Sequence, residues 1–415
     1  MNERWSLMES IGIIAEYNPF HNGHLHQITE AKKKSKIDYT ICIMSGNFTQ
    51  RGEPALFSKW TRAAMAVNSG VDLVIELPCV FTVRSAQDFA RGGIRLLSSL
   101  NIRHISFGSE NADLSLLEKV SAASLDPAIT EELHTNLKSG QSYAAALSDA
   151  ISKTHSIPAT ILSQPNTILA VEYLNAIKIF KTKQKVLPIE RTALHHSDSI
   201  LGKLASAGSI RKELYSSAPN FSLIEQSIPL QTYQTVKAFY PTLPSMDLLS
   251  TTILALLRKI KQPELKNITG ISEGLEYKLA KAALQSRNLT ELLALTKSKR
   301  YPMSRLQRLV FHCLLGTTKQ SIANFDQSGP LYARVLAFNT KGREILHEFK
   351  RTARIPIITK TTDFLDSTKR SQSQLSPLES MLAIDTYATD LYALCFSPAQ
   401  IGGLDFLTSP MYIKQ

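Results

Sequence analysis

The chain is poor in several features that would narrow its class at once. It has four cysteines in 415 residues, Cys42, Cys79, Cys313 and Cys395, and all are far apart. No two have the close spacing of a zinc knuckle or a redox dithiol, so buried free thiols in a reducing compartment are expected. No apolar run nears the roughly 18–20 residues that cross a bilayer, and no membrane role is expected. The first ten residues, MNERWSLMES, lack the basic-then-apolar layout of a secretion signal. The sequence has no internal repeat and no low-complexity tract. What remains reads as a cytoplasmic globular protein, 43% hydrophobic and 20% charged.

Charge is unevenly spread. Residues 1–220 carry 23 Lys and Arg against 20 Asp and Glu, and residues 221–415 carry 24 against 15, within a net charge of +12. A near-neutral half beside a basic half points to a polyanion partner for the second half, or to positive charge serving solubility alone.

Strand and helix signals alternate through the first half. Short apolar, β-prone runs at Ser10–Tyr17, Tyr39–Met44, Val71–Leu77, His104–Phe107 and Lys185–Glu190 are separated by stretches with helical spacing. That order predicts an α/β fold, a Rossmann-like parallel sheet with helices on both faces. A helical insertion is expected at about 112–180. "SSAPNFS" at Ser216–Ser222 marks a boundary, giving domains 1–218 and 219–415. The second is read as mainly α-helical, with short strands possible at Arg334–Phe338 and Ile355–Thr359.

"NPFHNGH", Asn18–His24, fills the turn between the first strand and the first helix. Ligands of open α/β sheets bind at the carboxyl ends of strands. A helix start there offers free N–H groups to phosphate. His21 and His24, three apart, can face one cluster of oxygens and stabilise charge on a transferring phosphate. Gly23 permits close backbone approach. A helix-surface pair or a core pair is the ordinary alternative; a metal pair is another, but no third ligand follows at a recognisable distance, and no protein-bound metal is expected.

With those residues in view, "NPFHNGH" resembles the H-x-G-H signature of the nucleotidylyltransferase superfamily. "ASAGSIRK", Ala205–Lys212, resembles its second signature. "MSGNFTQRGEPA", "VDLVIELP", "FGSE", "PNTILAVEY" and "KSKRYPMSRLQR" extend the likeness, in order, to the bacterial tRNA(Met) cytidine acetate ligases. The resemblance implies activation of acetate with ATP, accompanied by Mg²⁺, to acetyl-adenylate. The acetyl group then passes to N4 of the wobble cytidine of elongator tRNA(Met). No stable protein partner is implied.

Site residues implied by the resemblance are His21, His24 and Arg211 for catalysis. ATP contacts are implied for Ile14, Ala15, Glu16, Tyr17, Asn18, Pro19, Phe20, His21, Asn22, Gly23, His24, Leu25, His26, Gln27, Gly108, Asn166, Arg191, Ser209 and Arg211. The chain departs from the family pattern at Thr167, where a second Asn is usual, and after Arg191, where "TALHHSD" replaces glycines and places His195 and His196 nearby.

Other polar residues carry open readings. Gly46, Asn47, Gln50, Arg51 and Gly52 suit a mobile loop beside the site. Lys59 and Arg62 serve nucleotide, RNA or a solvent face. Glu16, Asp72 and Glu76 need partners if buried. The segment Lys278–Arg308 has eight Lys and Arg and one acidic residue, Glu291. RNA contacts are expected from Lys297, Lys299, Arg300, Arg305 and Arg308, with Tyr301 stacking on a base. Two other functions stay open: a small-molecule adenylyltransferase or ligase of the pantothenate synthetase kind, and an RNA-binding protein with a regulatory nucleotide site.

Overall fold

The protein is described from a computed structural model, in residues 9–141, 143–191, 205–272, 274–372 and 374–414. Five strands, β1 (Ser10–Ala15), β2 (Tyr39–Ser45), β3 (Leu73–Leu77), β4 (His104–Ser109) and β5 (Lys185–Glu190), pair in parallel in the order β5-β4-β1-β2-β3. The chain runs outward from β1 through β2 to β3, then returns to the other side of β1 as β4. The order therefore reverses at β1, and a crevice opens beyond the carboxyl ends of β1 and β4.

Both faces of this sheet are buried, which is why its strands read as apolar runs. Alternate residues feed opposite cores. Ile11, Ile13, Cys42 and Met44 pack with the helices Asn22–Ser35 and Lys59–Asn68. Ile14, Ile41 and Ile43 pack with the helices Ala86–Ser99 and Pro165–Ile179. Gly93 lets the first of these lie close on β1, since a Cβ there would sit 2.5 Å from Ile14 Cδ1. The expected insertion is a set of helices, Leu114–Ser124, Thr130–Lys138, Tyr143–His155 and Pro165–Ile179, between β4 and β5.

The second half is not helical throughout. Helices between Ser250 and Ser328 build a third core around Leu257, Leu279, Leu292 and Leu309. The chain then returns to the sheet. β6 (Ala333–Phe338) pairs antiparallel with β3, while β7 (Ile357–Ile358) and β8 (Met411–Tyr412) pair with β6. The result is one eight-stranded sheet spanning both expected regions. β6 is apolar apart from Arg334, and Ala333–Ala337 are all buried. The helix Pro377–Ala393 packs Met381 and Leu382 into the core shared with β3. All four cysteines are buried and free. Among the described residues no helix is long and apolar enough to cross a membrane.

Candidate active site

The turn after β1 is held by its own side chains. Tyr17 and Phe20 are buried and meet edge to face at 4.8 Å. His21 caps the helix Asn22–Ser35: its Nδ1 accepts from the Gly23 N–H at 3.0 Å. His24 reaches back, and its Nδ1 accepts from the His21 N–H at 3.2 Å. This is a reciprocal capping box built from two histidines. A neutral imidazole that accepts at Nδ1 carries its proton at Nε2. Both rings are thereby set as Nε2–H donors, stacked with centroids 3.7 Å apart. Burial, then the neighbouring His21 and Arg191, hold His24 well below the ordinary histidine value, so it stays neutral.

Gly23 has a reason the sequence did not disclose. A Cβ there would lie 2.8 Å from His21 Cε1. The glycine makes room for the capping imidazole itself.

A cleft of about 390 Å³ opens at the crevice between β1 and β4. Its walls include Ile14–Asn18, His21, His24 and Gln27 from the first turn, Gly108 from β4, Asn166, Arg191 and Arg211. Three expected signals, far apart in the chain, meet here. The Arg211 Nη1 donates to the Asn18 carbonyl at 2.7 Å, fixing the second signature against the first. Gly108 lies under Arg191, where a Cβ would be 3.2 Å from Arg191 Cγ. Burial lowers the pKa of Arg191, with Glu110 opposing, and its Nε finds no hydrogen-bond partner among the described residues.

Some expected contacts are not in the walls. Phe20 is core, Leu25 points outward, and the Asn22 Nδ2 donates to the Gln226 carbonyl at 2.9 Å. Pro19, Gly23 and His26 support the turn without lining the cleft. Ser209 is buried. Its Oγ donates to the Ser206 carbonyl at 2.9 Å, and its N–H to Ser206 Oγ at 3.1 Å. Ser206, Ala207 and Gly208 face the cleft in its place. Asn166 keeps its place because Glu110 grips the start of its helix. The Asn166 Nδ2 donates to Glu110 Oε1 at 2.7 Å, and the Thr167 N–H to Oε2 at 2.7 Å. Thr167 Oγ1 also donates to Oε2 at 3.0 Å, which gives the departure at this position a structural use. His195 and His196 lie outside the described residues.

The loop Ser45–Pro54 is tied down, contrary to the mobile loop expected. The Gln50 N–H donates to Glu16 Oε1 at 2.6 Å, and the Leu56 N–H to Asn18 Oδ1 at 2.7 Å. Gly52, at φ +79°, lies against the helix Met303–Leu315, where a Cβ would meet Arg308 Cα at 3.0 Å. These bonds explain Glu16, and they bring Thr49, Gln50, Arg51 and Glu53 to the cleft. Thr49 and Glu53 were not expected. Phe89, Leu169 and Tyr173 complete an apolar wall; Leu169 and Tyr173 fall within "PNTILAVEY", but none of the three was expected at the site.

Lys59 and Arg62 serve neither ligand nor solvent, since both are fully buried. Arg62 gathers the ends of β1 and β2. Its guanidinium donates to the Phe57 carbonyl at 3.0 Å, to the Ser45 carbonyl at 3.1 Å, and to the Glu16 and Gly46 carbonyls. Lys59 Nζ pairs with Glu76 at 3.0 Å and Asp405 at 2.7 Å, and Arg334 joins the same two carboxylates. Burial alone would lower Lys59; Asp405 and Glu76 more than reverse it. Asp72 is likewise structural, accepting from the Thr40 N–H at 2.8 Å and Asn339 Nδ2 at 3.0 Å.

In the basic stretch, Lys297, Lys299 and Arg300 are exposed. Tyr301 is only 7% exposed, and its hydroxyl donates to the Ser272 carbonyl at 3.3 Å. Its ring is covered on one side by Arg305, whose Nη2 donates to Ser272 Oγ at 2.8 Å. This pair is engaged within the fold, so the base stacking expected of Tyr301 has no open ring face to use. Burial lowers Arg308 to about 10, the neighbouring Arg305 adding to it.

A family model described as HIGH Nucleotidyl Transferase matches residues 8–402. The chain belongs to this family. It is 40% identical, over 96% of its length and 98% of the relative's, to the tRNA(Met) cytidine acetate ligase of Thermoanaerobacter sp. (strain X514). It is 37% identical to the protein of that name in Clostridium perfringens, covering 98% and 100% of the two chains. Among solved structures, Thermotoga maritima TmcAL in its apo form superposes with a TM-score of 0.88 at 30% identity, covering 98% of this chain and 100% of that one. TmcAL bound with alpha-thio ATP gives 0.87 at 29% identity, with the same coverage.

Proposed function

We propose that the chain is a tRNA(Met) cytidine acetate ligase. It joins acetate and ATP into acetyl-adenylate, releases pyrophosphate, and transfers the acetyl group to N4 of the wobble cytidine of elongator tRNA(Met). The convergence of two imidazoles and Arg211 on one cleft at the sheet's switch point carries this reading.

An acetate oxygen attacks the α-phosphorus and the bond to the β-phosphate breaks. Negative charge grows on the α-phosphate oxygens and on the departing pyrophosphate. His21 and His24 supply N–H donors already fixed by their Nδ1 bonds, so little reorganisation is needed. Arg211, with the backbone of Ser206–Gly208, is placed to hold the β- and γ-phosphates. Gly108, Asn166 and Arg191 frame the adenosine end. Mg²⁺ would travel with ATP, held mainly by phosphate oxygens.

The two-part division at about residue 218 is then a division of labour. The first part activates acetate. The second presents cations to RNA, with exposed Lys297, Lys299 and Arg300 meeting phosphates. Incubation with ATP and labelled acetate, with and without tRNA, tests the reading. Acetate-dependent pyrophosphate release and label in tRNA(Met) support it. Adenylation without label in RNA, or RNA binding without adenylation, overturns it.

A further inference from the structure

A second cleft, of about 310 Å³, lies on the far side of the Thr49–Pro54 turn. It falls at the lower end of small-molecule sites, about 300–1,000 Å³. Glu53 and Arg211 line both clefts, so one carboxylate and one guanidinium stand where the two meet. Nothing in the activation of acetate uses this second space.

We infer that it receives the acceptor cytidine, turned out of its RNA strand, with Glu53 as the group that takes the proton from N4. The inference rests on the ligase reading above.

Three observations support it. Tyr215 lines the cleft and is 51% exposed as a residue, while its hydroxyl is pinned by donation to the Pro244 carbonyl at 2.6 Å. A fixed, open aromatic face is a stacking platform for a flipped base. Glu53 Oε1 accepts from Gln307 Nε2 at 3.0 Å, which positions the carboxylate and leaves Oε2 as a second acceptor. A carboxylate accepts from the exocyclic amine of cytosine and repels O4 of uracil, so the same group selects the base. Finally, Arg211 lines both clefts, which keeps a cation where the two meet.

The chemistry balances. The N4 lone pair attacks the acetyl carbonyl carbon and a C–N bond forms. The C–O bond to the adenylate phosphate breaks, and AMP leaves. The N4 proton passes to Glu53. Arg211, shared by both clefts, faces the charge left on AMP.

Acetate-dependent ATP–pyrophosphate exchange and single-turnover transfer from preformed acetyl-adenylate, measured side by side, test this. Tyr215→Ala is expected to slow transfer about ten-fold and to leave exchange within about two-fold, whereas Tyr215→Phe keeps the ring and keeps transfer. Glu53→Gln is expected to lower the transfer rate at saturating tRNA about a hundred-fold with little change in KM for tRNA. Equal losses of exchange and transfer in Tyr215→Ala, or Tyr215→Phe as slow as Tyr215→Ala, would overturn the cleft assignment. A single-turnover transfer rate in Glu53→Gln equal to that of the unaltered chain would overturn the proton acceptor. Absence of acetate-dependent exchange in the unaltered chain would instead defeat the ligase reading itself.

Discussion

Two groups of polar and charged side chains stand near the carboxyl ends of the same strands, and they are organised in opposite ways. Around the first cleft, His21, His24, Arg191 and Arg211 are held by backbone groups or by burial. They line a cavity, and among the described residues the Nε of Arg191 is left over. A short distance along the sheet, Lys59 and Arg334 meet Glu76 and Asp405 inside the protein, with Asp385 close by. There every cation already has its anion. A cation whose counter-charge comes from its own chain holds the fold, whereas one held by a carbonyl at the wall of a cleft, as Arg211 is, keeps its charge for a ligand; Arg62, held by carbonyls but fully buried, stays structural. Sequence position alone does not separate the two, because Lys59 and His21 both stand at the start of a helix following a strand.

The comparison can be broken most forcefully from the paired side. Lys59→Met leaves Glu76 and Asp405 short of a cation in a dry interior. Denaturant unfolding should register a loss of about 3–5 kcal/mol, with activity per folded molecule little changed. On the other side, His21→Ala should cut acetate-dependent ATP–pyrophosphate exchange about a hundred-fold or more, while a filter-binding assay finds tRNA affinity nearly intact. Loss of both would mean that the first group is structural too. A smaller effect is expected from Gly23→Ala, which pushes on the His21 ring and should slow exchange about ten-fold, the scale of a displaced catalytic group. Its melting temperature should stay near that of the unaltered chain.

The smallest expected effect concerns pH. Burial pushes Asp385 from 3.8 up to about 7, although the Tyr332 hydroxyl and the Cys79 N–H donate to it. A carboxyl raised in the folded state favours folding while protonated. Its contribution is complete below its unfolded value and disappears as pH rises through about 7. Between pH 5 and pH 8 the unaltered chain should therefore lose more stability than Asp385→Asn does. A steeper loss in the variant would reverse the sign assigned here.

The sheet's parallel half was legible because each strand is a short apolar run closed by Pro, Gly or a polar turn, all local signals. Legible too were the two signatures, since each opens a helix with its own cap, His21 in one case and Ser206 in the other. What could not be read depends on partners distant in sequence. The short run that becomes β6 gives no hint that it will extend the sheet from β3. Lys59 and Arg62 look like the polar start of a helix, and only Asp405 and the carbonyls of Glu16 and Gly46 reveal them as interior. Tyr301, in a basic loop, gives no sign that Ser272 and Arg305 will enclose it. Glu53, the junction of the two clefts, lies among turn residues and carries no pattern of its own.

The seam between β3 and β6 bears on how the polypeptide is made. While a ribosome is still extending the chain, β3 waits as a bare edge until the segment near residue 335 emerges. Pairing across so much intervening sequence is slow in closing. A fragment cut at the end of the activating half would therefore keep that sticky edge permanently, and should clump rather than work as a free-standing enzyme.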